Sequence, residues 1–166
     1  MNQILVIRHA EAEDAADAAI AGRRDAERAL TKQGERQMRK GAGGLRHITA
    51  EIRMIVSSPL RRAVQTAAAL AESYPEAELT ENPRLAPGFD GGKLLAWAVK
   101  QPQPLALVGH EPDLSQWIGY LVTGSPRAIV NMKKGSVCCL EIPDSVQAGE
   151  GRIRWFMTLK QLMELD

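Results

Sequence analysis

The sequence predicts an α/β fold of three layers, α/β/α, with a mostly parallel central sheet and an antiparallel hairpin at one sheet edge. Two observations predict it. Short apolar runs alternate with amphipathic segments along the chain, the pattern of strand–helix units wound around a parallel sheet. Towards the end, two strand-like runs at 136–142 and 152–158 are separated only by a loop containing Gly149 and Gly151, which reads as a hairpin. With 166 residues, no internal repeat and no linker, the chain is expected to form one domain over 1–166.

Taken in order, apolar runs at 3–7, 53–57 and 105–108 predict central strands, and a weaker run at 77–80 predicts a fourth. Helices are expected over 32–46, 60–73, 91–100 and 112–122. Thr31 stands before the first of these with Gly34-Glu35 in the opening turn, consistent with an N-cap. Leu60, Ala63, Val64, Ala67, Leu70 and Ala71 recur at the spacing of one helix face. Residues 12–29, rich in Ala, Asp, Glu and Arg, predict a partly helical excursion over the mouth of a site at the strand ends. Pro83, Pro87, Gly88, Gly91 and Gly92 mark a second loop bordering it. Adjacent Cys138 and Cys139 should point to opposite faces of a strand, as buried thiols rather than a disulfide. Trp117 and Trp155 are expected in the core.

Composition narrows the function classes. Hydrophobic content of 45% and charged content of 25% fall in the ordinary soluble range. A net charge of +1 provides no global field for nucleic acid or membrane, so any attraction for phosphate must be local. No segment reaches the length of a membrane span and no signal-like run opens the chain, so a cytoplasmic protein is expected. No His/Cys/carboxylate spacing suggests zinc, and a site without metal or cofactor is expected.

The chemistry gathers at strand ends. Arg8-His9 follows Ile4-Leu5-Val6-Ile7, and Gly109-His110-Glu111 follows Leu105-Ala106-Leu107-Val108. In an open α/β sheet, ligands bind beyond the carboxyl ends of the strands. An imidazole there can attack phosphorus, move a proton or bind an anion. The fork of Arg8 suits phosphate oxygens, and Ser57-Ser58-Pro59-Leu60-Arg61-Arg62, after Met54-Ile55-Val56, offers two more guanidiniums. Ser58 caps the following helix or donates to phosphate. Glu11 and Asp113 are read as orienting the arginines or capping the helix near 112. His47, at a helix end, is read as structural. Lys133-Lys134 form a solvated loop, rim the site or touch an acidic partner.

These residues fall into motifs. Arg8-His9-Ala10-Glu11 resembles the signature of the histidine phosphatase superfamily, the phosphoglycerate-mutase-like enzymes. Leu30-Thr31-Lys32-Gln33-Gly34 resembles its Leu-Thr-x-x-Gly. Ser58-Pro59-Leu60-Arg61-Arg62-Ala63-Val64-Gln65-Thr66 resembles Ser-x-Leu-x-Arg-Ala-x-x-Thr, and Leu107-Val108-Gly109-His110 completes the series. The short chain, Arg28-Ala29-Leu30-Thr31 and Gly109-His110-Glu111-Pro112 resemble the SixA-type phosphohistidine phosphatases.

The resemblance implies His9 as the nucleophile, with Arg8 and Arg62 gripping the phosphoryl group and His110 as a third donor. The family arginine precedes alanine, which selects Arg62. Arg61, rotated by about 100° on a helix, is left to the rim. Many relatives carry an acid in a Leu-x-Glu pattern where this chain has Leu85-Ala86-Pro87. A missing proton donor favours a phosphoramidate over a phosphate monoester, because an alkoxide needs that proton in the transition state. Glu111 is a possible substitute, and Glu11, Ser58 and Glu111 are expected beside the substrate. The implied activity is hydrolysis of phosphohistidine on a protein, such as a histidine phosphotransfer domain, at a shallow, open site. The alternatives are a phosphatase for a small phosphate ester and a non-catalytic phosphate-binding module.

Overall fold

The computed structural model describes residues 1–145 and 147–166. Six strands form one sheet: β1 (Asn2–Arg8), β2 (Met54–Ser57), β3 (Glu78–Glu81), β4 (Leu105–Gly109), β5 (Val137–Ile142) and β6 (Arg152–Met157), in the order β3-β2-β4-β1-β5-β6. The first four run parallel, β5 is antiparallel to β1, and β6 is antiparallel to β5. The edge hairpin expected from the sequence is therefore present.

Helices cover both faces. Met38, Ala42 and Leu45 of α2 (Lys32–Leu45), Ala63, Ala67 and Leu70 of α3 (Arg61–Ala71), and Leu159 and Leu162 of α6 (Leu159–Met163) pack on Leu5, Ile7, Ile55 and Val108. On the other face, Leu94 and Leu95 of α4 (Gly91–Ala98) and Leu114, Trp117 and Ile118 of α5 (Asp113–Thr123) pack on Ile4, Val6, Val56 and Leu107. Strands buried on both faces read as unbroken apolar runs, which is why β1, β2 and β4 are conspicuous in the sequence. The edge strand β3 is faint because Glu78, Leu79 and Glu81 all face solvent. Cys138 and Cys139 are buried and free. Among the described residues no helix is long and apolar enough to cross a membrane.

The excursion is partly helical as expected, while α6 was not foreseen. The 12–29 excursion contains a short helix α1 (Ala15–Ile20), capped by Asp14, and a 3-10 turn at Asp25–Glu27. Helix α6, capped by Thr158, has five residues, too few to show a period. Its seat on α2 explains why α2 tolerates glycines, each of which costs a helix interior about 1 kcal/mol. A side chain at Gly44 would meet the backbone of Leu162, and one at Gly41 would meet Leu159.

Candidate active site

The ends of β2, β4 and β1 lie side by side, so three loops start from one edge of the sheet. Backbone hydrogen bonds lace them together. His9 N donates to Gly109 O at 3.0 Å, and Ser58 N donates to Val108 O at 2.9 Å. Register thereby fixes the two histidines, whose ring centroids stand 5.3 Å apart. Arg62 enters from the first turn of α3. His9, Arg62 and His110 are only 6%, 5% and 3% exposed, so the side chains at these strand ends form a buried floor.

The tautomer of His9 is settled by its neighbour. Its Nδ1 lies 2.7 Å from Ala10 O, which can only accept, so Nδ1 carries the proton and Nε2 presents a lone pair. Burial is the main reason its pKa falls to about 3; the Ala10 bond opposes this, while His110, Arg62 and Arg8 push it further down. Desolvation is thus a larger cause than the neighbouring arginine charges. The loop is pinned from below: Ala10 N donates to Thr66 Oγ1 at 3.0 Å, and that hydroxyl donates to Arg62 O at 2.7 Å. The buried Thr66 thus ties the His9 loop to the helix bearing Arg62.

His110 Nε2 lies 2.7 Å from Ser58 Oγ. Ser58 Oγ also accepts from Leu60 N at 3.2 Å, and with a second lone pair and its own proton it pairs with either tautomer of His110. Helix α3 begins at Arg61 with Leu60 as its N-cap and no side-chain cap, so Ser58 holds the approach turn and His110 instead of capping the helix. Burial, then Arg62, brings the His110 pKa to about 4.

The arginines are held differently. Arg8 Nη1 donates to Met132 O at 2.9 Å, and Gly135 N, at a φ of 76°, reaches both Arg8 O and His9 O. Arg62 donates through Nη1 to Asp25 O at 2.8 Å and through Nη2 to Asp25 Oδ2 at 3.1 Å. Asp25 Oδ1 also accepts from Arg28 Nε at 2.9 Å, making an Arg62–Asp25–Arg28 chain. Burial raises the Asp25 pKa, but the two arginines outweigh it and hold the carboxyl below its usual range. Among the described residues, Arg8 Nε, Arg62 Nε and His110 Nδ1 are buried and have no hydrogen-bond partner.

The other carboxylates have different work from that expected. Glu11 accepts from Thr31 Oγ1 at 2.8 Å, fixing the entry to α2 and not an arginine. Glu111 accepts from Ser115 N at 2.9 Å and Ser115 Oγ at 2.7 Å, so both oxygens serve the first turn of α5. Asp113 accepts from Gly88 N at 2.8 Å and braces the second loop. Thr31 caps α2 as foreseen, and Arg61 is exposed as foreseen. The sequence reading missed Asp25, Arg28 and Thr66. Thr66 was visible as the last residue of its motif, and Arg28 as the start of Arg28-Ala29-Leu30-Thr31; Asp25 carried no signal beyond lying in the excursion. Among the described residues, no group of three or more His, Cys, Asp or Glu side chains is placed to hold a metal ion.

Comparisons with known proteins agree with this geometry. Residues 4–87 match the family model described as the histidine phosphatase superfamily (branch 1). An uncharacterized protein of Picosynechococcus sp. is 36% identical over 143 residues, 81% of this chain and 82% of its own length. The fold superposes on the protein histidine phosphatase SixA complexed with tungstate, with a TM-score of 0.80 at 23% identity over 96% of this chain and 99% of that one. It also superposes on a mutant phosphoserine phosphatase of Entamoeba histolytica in complex with phosphoserine, with a TM-score of 0.71 at 16% identity over 98% and 100% of the two chains.

Proposed function

The chain belongs to the histidine phosphatase superfamily (branch 1), and we propose that within it residues 1–166 act as one catalytic domain that hydrolyses phosphohistidine on a protein. The observation that carries this reading is a neutral His9, its Nδ1 proton held by Ala10 O, beside the anchored guanidiniums of Arg8 and Arg62. Guanidiniums carry the donors and the charge that phosphoryl oxygens need. In this mechanism the substrate imidazole is protonated on its other ring nitrogen; His9 Nε2 attacks phosphorus, the P–N bond breaks, and its electron pair stays on the departing nitrogen, so a neutral imidazole leaves. Water then attacks the phosphorylated His9, releasing phosphate and returning the electron pair to Nε2. Arg8 and Arg62 neutralise the equatorial oxygens, which carry most of the charge in such transition states.

The substrate class follows from the carboxylates. Glu11 and Glu111 are engaged in the frame, and Asp25 is held ionised between two arginines. None is poised to give an alkoxide its proton, whereas an imidazole leaving group makes a smaller demand. The second reading, a phosphatase for a small phosphate ester, is favoured by one observation: the Asp25 turn leans over a buried floor, so a compact ligand fits as well as a presented side chain.

The test is turnover of a phosphohistidine-bearing protein against a panel of phosphate monoesters, with and without chelator. Preference for the phosphoramidate, lost in His9→Ala, is the expected result. Preference for one monoester would install the second reading. Phosphate binding without turnover of any substrate would make the chain a binding module.

A further inference from the structure

The loop that holds Arg8 carries more than its backbone. Between Met132, whose carbonyl accepts from Arg8, and Gly135, whose N–H reaches Arg8 O and His9 O, lie Lys133 and Lys134, both exposed. With the exposed Lys160 of α6 they surround a depression of about 400 Å³, floored by Leu159 and the half-buried Met163 and bounded by Gln37 of α2. Among the described residues none of these three ammonium groups forms an ion pair; Glu164, one turn along α6 from Lys160, does not reach it. Three like charges gathered around one hollow repel one another and nothing in the fold requires them.

The remainder of the charge sharpens the contrast. The chain carries only +1 overall, yet Glu76, Glu78 and Glu81 lie exposed at the opposite, β3 side of the sheet. The lysine cluster is thus a local one, and it adjoins the catalytic loop. An acidic macromolecule approaching along that field is turned with its face towards His9. The apolar floor of Leu159 and Met163 suits a folded protein surface better than a bare polyphosphate, which offers nothing to an apolar floor.

Resting on the reading above, we propose that Lys133, Lys134 and Lys160 form a docking shelf for an acidic surface of the phosphorylated protein, next to its phosphohistidine. The shelf acts on the encounter and not on the bond being broken. Its contribution therefore appears in KM for a protein substrate and is absent for a small one.

The experiment compares two substrates with the same phosphorus–nitrogen bond, a phosphohistidine-bearing protein with an acidic face and free phosphoimidazole. In Lys133→Glu/Lys134→Glu/Lys160→Glu, kcat/KM for the protein is expected to fall through KM at least about tenfold more than kcat/KM for phosphoimidazole. Wild-type turnover of the protein, but not of phosphoimidazole, should weaken steeply with added salt, a reading that needs no variant to fold. Lys160→Glu alone, remote from the catalytic loop, should show a smaller loss of the same kind. Equal losses on both substrates, or protein turnover indifferent to both charge reversal and salt, would overturn the shelf while leaving the catalytic reading intact. Wild-type protein inert towards both substrates would overturn the two together.

Discussion

Arg8 and Arg62 flank the same pair of histidines and are anchored in opposite ways. Arg8 is tied to a neutral carbonyl, Met132 O, on a loop that also bonds the backbone of Arg8 and His9. Glu111 acts on it only through space. Arg62 is gripped at both terminal nitrogens by Asp25, a residue whose side chain is 60% exposed and which is shared with Arg28. A carbonyl anchor orients a guanidinium and leaves its charge for the ligand. A carboxylate anchor orients it more firmly but spends part of that charge, and hangs its position on a surface turn. The two halves of the site should therefore fail differently.

The largest effect comes from the guanidiniums themselves. Arg8→Ala and Arg62→Ala are each expected to lower kcat/KM by about 10²–10³-fold, the usual loss when one preorganised charge-stabilising donor is removed. Only Arg62→Ala should also loosen the Asp25 turn, seen as faster proteolysis within residues 21–28. Equal protection of that turn in both variants would break the contrast.

A smaller effect is expected at the anchor. Asp25→Asn keeps the shape and the backbone carbonyl but removes the charge shared by Arg62 and Arg28. About a tenfold loss in kcat/KM is expected, since hydrogen bonds to charged groups are worth about 1.5–3 kcal/mol and one of the two remains. An unchanged rate would mean that Asp25 O alone positions Arg62. At the other end of the site, Ser58→Ala should cost a few-fold by freeing His110, with no loss of helix content, because Ser58 does not cap α3.

Acidity gives the finest discrimination. His9 sits near pKa 3 in the folded protein against about 6.5 unfolded. Between those values the unfolded chain binds more protons, so stability falls as pH drops through that window, by up to about 1.4 kcal/mol per unit for this histidine. Urea midpoints from pH 7 down to pH 4 measure it, and His9→Gln should flatten the slope. Because burial outweighs the neighbouring charges, Arg8→Gln and Arg62→Gln should each move the acid limb of kcat/KM only slightly. A large upward move in either would put charge ahead of desolvation.

The sequence made the scaffold and the reacting groups legible for a physical reason. Strands buried on both faces cannot hide their apolar runs, and Arg8, His9, Ser58 and His110 stand directly at the ends of β1, β2 and β4. Arg62 followed once alanine at 63 chose between neighbouring arginines. The carboxylates were harder, because an acid's role depends on which donor the fold brings to it. Glu111 looks like a catalytic group until α5 is seen to begin at Asp113, where an acceptor for Ser115 N is what the first turn needs. Asp25 looks like any surface acid until the excursion folds back by 37 positions to meet Arg62. Such contacts are set by tertiary closure and leave no local pattern.

Leu159 lies where two of these constraints meet. Its side chain fills the space a Cβ would take at Gly41 in α2 and at Gly135 in the loop behind His9. The two glycines are 94 residues apart, yet the same leucine excludes a larger residue from both. A trimmed residue at 159 would act as an intragenic suppressor of Gly41→Ala, relieving the clash on the helix side. The same trimming would not rescue Gly135→Ala, where the positive φ persists after the space is made. The history of substitution at 41 should thus be written jointly with 159, while 135 stays glycine whatever its neighbour becomes.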